Sequence, residues 1–275
     1  MSIWVLRGLR DGIVTTRWPR RPDQYADSWR GPATVAPDAA VSGVATADAG
    51  LPDYGAADDA GLERLCPTGA IEVVDRIRVD QGRCILCGRC VAARPDLFAW
   101  SPGVTGPAAA AVARQALVIP GEPETDGAVA AARAALAART AALRRSVHVR
   151  HVDAGSDGSE EWEIQALLGP VYDISRLGVF FTASPRHADV LLVTGAGTVG
   201  MTGPLRTTYE GMPEPKVVIA VGTDAVSGGL LSDRLTGVDG EVPVDVWVPG
   251  SPPSPFSILS ALLIATGKLA PGARR

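Results

Sequence analysis

Residues 188–222 read ADVLLVTGAGTVGMTGPLRTTYEGMPEPKVVIAVG. ADVLLVTG is a short apolar run ending in glycine, the pattern of a strand buried on both faces of a parallel sheet. MTGPLRTTYEGM reads as a helix, and KVVIAVG as a second buried strand. The pattern repeats outward. Upstream, VHVRHVD (147–153) reads as a strand, and EIQALLGPVYDISRL (163–177) as a helix, a turn and a short helix. Downstream, VDVWVPG (244–250) is a further strand and SPFSILSALLIATG (254–267) a closing helix. Strands alternating with helices imply a parallel sheet covered on both faces. Such sheets gather ligands in the loops at the carboxyl ends of their strands. Those loops are 153–161, 194–200, 221–229 and 248–255. Gly195, Gly197 and Gly200 give a G-x-G-x-x-G spacing after a strand, but no acidic residue stands at a clear strand end about 20 residues on, so a dinucleotide site is not expected.

Upstream lies CPTGAIEVVDRIRVDQGRCILCGRC, residues 66–90, which holds all four cysteines of the chain. Cys84, Cys87 and Cys90 follow a C-x2-C-x2-C spacing, and Cys66 precedes a proline. Bacterial ferredoxins space their ligands this way, and the Cys-Pro cysteine crosses to the other half's cluster. The spacing therefore predicts one 4Fe–4S cluster held by Cys66, Cys84, Cys87 and Cys90. A structural zinc ion is the competing reading, because zinc also takes all-thiolate sites. The alternation over Ala70–Val79 predicts a small antiparallel hairpin that brings Cys66 and Cys84 together. A second full motif would need cysteines at Ala56, Asp59 and Leu62, and one more at Arg94 just before Pro95. None is present, so the stretch reads as a two-cluster module that keeps one cluster.

The chain has 275 residues, 46% hydrophobic and 20% charged, with a net charge of −4. That balance fits a globular class and does not argue for nucleic acid or an acidic substrate. No run reaches the roughly 18 apolar residues of a membrane span, and no signal-peptide layout is seen, so a cytoplasmic protein is expected. In residues 2–14, Ile3, Leu6, Leu9 and Ile13 can share a helix face opposite Arg7, Arg10 and Asp11. This suits docking on a membrane subunit or bilayer, and equally an ordinary terminal helix. Residues 1–30 carry six arginines against three aspartates, with Trp4, Trp18 and Trp29 interleaved. The layout read from the sequence is an N-terminal docking arm (1–30), a linker (31–61), a single-cluster domain (62–100), a linker with an Ala-rich helix (101–146) and an α/β domain (147–275).

With these residues in hand, a resemblance can be named. DAGS (153–156), EIQAL (163–167), YDISRLG (172–178), ASPRHADVLLVTG (183–195), MPEPKVVIAVG (212–222) and VPGSPPSP (248–255) closely resemble the small iron–sulfur subunit shared by respiratory complex I (its B, or 20 kDa, subunit) and energy-converting hydrogenases. VTTRWP (14–19), WRG (29–31) and GRCILCGRC (82–90) are similar to the two-cluster ferredoxin subunit of the same complexes. The whole looks like a fusion of two neighbouring subunits of the formate hydrogenlyase branch. The resemblance implies a ferredoxin-like 4Fe–4S domain followed by a flavodoxin-like parallel-sheet domain, in a non-catalytic subunit without a small-molecule substrate of its own. It implies a hydrogenase or complex I-like large subunit as partner, a membrane subunit met by the N-terminal arm, and a peripheral place at the inner face of the cell membrane.

It also implies a second cluster in the α/β domain, and there the chain departs from it. Asp157, Glu160, Asp224 and Ser251 stand where the resemblance places the cluster's cysteines. That cluster is expected to be absent. The four replacements could hold a hard cation, or be neutralised by Arg186 or Arg206. Two functions follow: an electron-transfer subunit with one cluster, or a scaffold that has lost its redox role.

Overall fold

The structure, a computed structural model, describes residues 3–21, 23, 28–36, 59–74, 76–104, 109–120, 126–141, 143 and 146–268. Most of the expected 31–61 linker, and the position of Ala56, lie outside the described residues. In chain order, α1 spans Ile3–Asp11 and buries none of its residues. Beyond it the chain turns inward. The Thr16 N–H donates to the Val171 carbonyl at 2.7 Å, and Trp18 meets Phe256 edge-on at 5.7 Å between ring centres.

Strand β1 (Arg30–Val35) and helix α2 (Asp59–Leu65) follow, then β2 (Ile71–Val73) and β3 (Ile77–Asp80), helix α3 (Arg89–Ala93), β4 (Phe98–Pro102) and β5 (Val118–Ile119). β2 and β3 form the hairpin expected from the alternation, in the register Ile71–Val79 and Val73–Ile77. β5 adds a third antiparallel strand. Residues 31–35, read from sequence as the start of a linker, lie in β1, which pairs with β4. Arg-Gly-Pro-Ala-Thr-Val carries little strand propensity, so the pairing is made by its partner and by burial. One core joins these pieces. Leu62, Leu65, Ile71, Ile77, Val79, Leu97 and Phe98 pack together with Cys84 and Cys90.

The second half begins with α4 (Asp126–Thr140), the Ala-rich helix, then β6 (Val147–Asp153), α5 (Ser159–Ala166), β7 (Val179–Phe181), β8 (Val190–Thr194), α6 (Val199–Glu210), β9 (Val217–Val221), α7 (Thr223–Ser227), β10 (Val246–Val248) and α8 (Pro255–Ala265). The five strands are all parallel, in the order β10-β9-β8-β6-β7. Counted from β6, that is the flavodoxin-like order. β8 and β9 are buried at every position, as their unbroken apolar runs require. α8 is buried along its whole length. Ile258, Leu259 and Leu262 are fully covered, each contributing roughly 1.5–3 kcal/mol of burial.

At the switch point, between β6 and β8, the loops press backbone to backbone. A Cβ at Gly195 (φ +81°) would collide with the backbone of Gly155 and Ser156. Gly197 and Ala196 N–H groups donate to the Ala154 and Gly155 carbonyls instead of pointing at a crevice. Gly195 and Gly197 therefore serve loop packing, while Gly200 has open space beside it.

Candidate functional site

The hairpin and the loop after β3 bring the four cysteines to one place. Cys66, Cys84, Cys87 and Cys90 line a single cavity of ≈ 20 Å³ with Ala33, Leu65, Ile71, Val79, Ile85 and Trp100. Every other lining group named is apolar. Cys84 and Cys90 are buried, Cys66 is half-buried and Cys87 is exposed. The tight C-x2-C-x2-C loop is curled by two left-handed residues, Leu86 (φ +57°) and Gly88 (φ +75°). A Cβ at Gly88 would lie 3.1 Å from the Trp100 ring. Backbone donors point at the sulfurs: Ala70 N–H to Cys66 Sγ at 3.2 Å, and Ala33 N–H to Cys84 Sγ at 3.4 Å.

The electrostatics of this cavity follow from its apolar walls. Burial pushes the Cys84 thiol up, against the pull of its backbone hydrogen bonds. Burial and then the neighbouring Cys84 push Cys90 up to about 12. Four thiolates crowded into such a space need positive charge among them. The donor set suits an all-thiolate iron–sulfur group. Among the described residues, no three His, Cys, Asp or Glu side chains stand close enough to hold one metal ion. Arg94, where a second motif would have its last cysteine, pairs instead with Asp96 at 2.6 Å.

The cavity is bolted to the α/β domain through α7. Thr223 Oγ1 donates to the Cys84 carbonyl at 2.9 Å, and Ser227 Oγ to the Gly82 carbonyl at 3.0 Å. Gly82 has no room for a side chain against Val226 and Arg114. Arg114 in turn grips Asp80 with two hydrogen bonds of 2.8 and 2.7 Å. Three residues before Arg114, Ala111 exchanges both backbone hydrogen bonds with Trp247 of β10. Thr223, Ser227 and Arg114 have no sequence signature. Only the packing reveals them.

Asp157, Glu160, Asp224 and Ser251, the four positions singled out from the resemblance, lie at or just beyond the carboxyl ends of β6, β9 and β10. Glu160, in the first turn of α5, is 1% exposed. Asp224 is in α7, Asp157 is exposed in the loop before α5, and Ser251 follows β10. Burial first, then the nearby Asp224 and Asp157 charges, raise Glu160 to about 7. Burial, then Asp157, also raises Asp224. Hydrogen bonds from Ser159 hold Asp157 below the usual carboxylate range. Arg206, considered as a neutralising partner, is paired with Glu241 at 3.0 Å. Next to Glu160 in the first turn of α5, Glu161 accepts from Ser156 Oγ at 2.9 Å and from the Thr194 hydroxyl, and lies 3.5 Å from His151.

Residues 158–265 match the family described as NADH ubiquinone oxidoreductase, 20 Kd subunit. The match begins after the four cysteines. An uncharacterised protein of Methanocaldococcus jannaschii is 44% identical over 132 residues, 47% of this chain and 86% of that protein. Formate hydrogenlyase subunit 7 of Escherichia coli is 39% identical over 159 residues, 57% of this chain and 61% of its own length. A probable membrane-bound hydrogenase subunit, mbhJ, of Pyrococcus furiosus is 43% identical over 131 residues, 46% of this chain and 78% of that protein.

Proposed function

The chain belongs to the NADH ubiquinone oxidoreductase 20 kDa subunit family, and from that premise we propose that it is a peripheral, non-catalytic iron–sulfur subunit of a hydrogenase-like or complex I-like membrane oxidoreductase. Cys66, Cys84, Cys87 and Cys90 would hold its one 4Fe–4S cluster. The observation that carries this reading is their convergence on one apolar cavity. A structural zinc ion, which also takes all-thiolate sites, is the competing occupant of the same four cysteines, and metal analysis of the purified protein separates the two. When bound, such a cluster supplies one-electron transfer. The chain's part is to exclude water with Leu65, Ile71 and Trp100, and to aim the Ala33 and Ala70 N–H groups at sulfur. Both tune the potential.

Two contacts outside the chain complete the reading. The α/β domain, tied to the cavity through α7, contains the residues that match the family (158–265) and would meet the large subunit. Helix α1 exposes Ile3, Trp4, Leu6 and Leu9, with Arg7 and Arg10 on the same short helix. It would rest on the membrane arm; no helix among the described residues is long and apolar enough to cross a membrane. Replacing Leu6 and Leu9 by glutamate is expected to release the protein from membrane fractions. Retention of that variant would remove α1 from the contact.

The absence of cysteine at Asp157, Glu160, Asp224 and Ser251, where the resemblance implies ligands, favours a second reading, in which the α/β domain is a scaffold and the one cluster a folding staple. Dithionite reduction followed by electron paramagnetic resonance separates the two. One reduced cluster signal, at a potential reachable by the host complex, supports electron transfer. A cluster that stays silent leaves the scaffold.

A further inference from the structure

A second cluster does not fit the α/β domain, because iron–sulfur clusters of this kind are held by thiolates and the positions carry three carboxylates and a hydroxyl. What the pocket does hold can be read from Glu160. Its side chain is buried in a protein interior where an unpaired charge is costly. Oε1 has no hydrogen-bond partner and abuts Gly222, where a Cβ would collide with it. Both charged groups that bear on it, Asp224 from α7 and Asp157 from the loop before α5, are themselves acids. A route to solvent is present. Ser159 Oγ donates to the exposed Asp157 Oδ1 at 2.7 Å and lies 3.1 Å from Glu160 Oε2. A hydroxyl can accept from one carboxyl and donate to the other.

We propose that this pocket is a proton-binding site. Glu160 is the seat, Asp224 sets its affinity, and Asp157 and the Ser159 hydroxyl pass the proton to and from water. One proton enters as the Glu160 carboxylate becomes a carboxylic acid, and no electron is consumed. The bound proton removes the anion that would otherwise stand against Gly222. The next residue, Thr223, donates to the Cys84 carbonyl, so the charge on Glu160 is felt at the four-cysteine cavity. That second step rests on the cluster reading above; the proton site itself does not.

Infrared spectroscopy of the full chain, with ¹³C-labelled glutamate, tests the site without reference to any cluster. A protonated carboxylic acid band should be present below pH 7 and fade above it. Glu160→Gln should abolish it. Asp224→Asn should move the half-titration to lower pH, because one opposing anion is gone, and it serves as the test if the Gln variant fails to fold. No titrating band, or one untouched by both substitutions, overturns the site. The coupling is read from the midpoint potential of the iron-loaded protein. It should fall as pH rises through 7 in the native chain and stay level in Glu160→Gln. A level profile in the native chain overturns the coupling and leaves the proton site standing.

Discussion

Two clusters of ionisable groups flank α7, and they answer the same physical problem in opposite ways. On one side, four thiols line an apolar cavity, and burial drives Cys84 and Cys90 toward the neutral form. On the other, three carboxylates crowd a buried position, and burial drives Glu160 toward the neutral form. Thiolates recover their charge by binding iron, which the spacing of this motif suits. A carboxylate with an unpartnered oxygen and anionic neighbours recovers neutrality by binding a proton. Sulfur on one side of α7 and oxygen on the other thus call for different ligands, an iron–sulfur group and a proton, in the functions proposed above.

The comparison can be broken most strongly at the thiols. Cys84→Ala removes a buried thiol of the proposed ligand set, from a residue whose carbonyl also anchors α7. It is expected to lower iron from about four per chain to near zero and to lower the yield of folded protein, both read on anaerobically purified material. Iron retained near the native level would mean that Cys84 is not a ligand.

Glu160→Gln should act on stability in the opposite sense. The folded value, about 7, lies above the unfolded 4.5. The carboxyl's contribution is therefore fully present below pH 4.5 and lost as pH rises through 7. Gln removes that loss, so the variant should gain on the native chain between pH 5 and pH 8, by up to roughly 3 kcal/mol. Urea midpoints at the two pH values check this. Equal midpoint differences at both would show that Glu160 is not a titrating group in this range.

The joint between the pockets gives a smaller effect. Thr223→Val leaves the Cys84 carbonyl without its hydroxyl donor and should cost about 1–2 kcal/mol, measured by urea unfolding. At the Arg94–Asp96 pair, where Asp96 is largely in water, Arg94→Ala should change stability by less than about 1 kcal/mol. A loss of several kcal/mol there would show that Arg94 supports the cavity as a cysteine ligand might have done.

Much of this layout was legible in the residues. Runs such as VLLVT and VVIAV are too short for helices and rich in valine, so they read as strands buried on both faces, and the Ala70–Val79 alternation marked the β2–β3 hairpin. The pairing of β1 with β4 was not legible, because RGPATV has weak strand propensity and its partner is about 70 residues away. VFF at β7 is three residues long, too short for a period to show. Glu160 was visible as a position that the resemblance singled out. Its burial, and the hydroxyl that links it to Asp157, depend on how α5 seats against Gly222. The Thr223 and Ser227 hydroxyls that join the two halves look in sequence like any other serine or threonine.

The most direct measurement is iron, acid-labile sulfide and zinc on anaerobically purified protein. About four irons and about four sulfides per chain, with zinc absent, is the expected result. About eight irons would place a second cluster where Asp157, Glu160 and Asp224 stand and contradict the comparison between the two pockets; one zinc without iron would contradict the cluster itself.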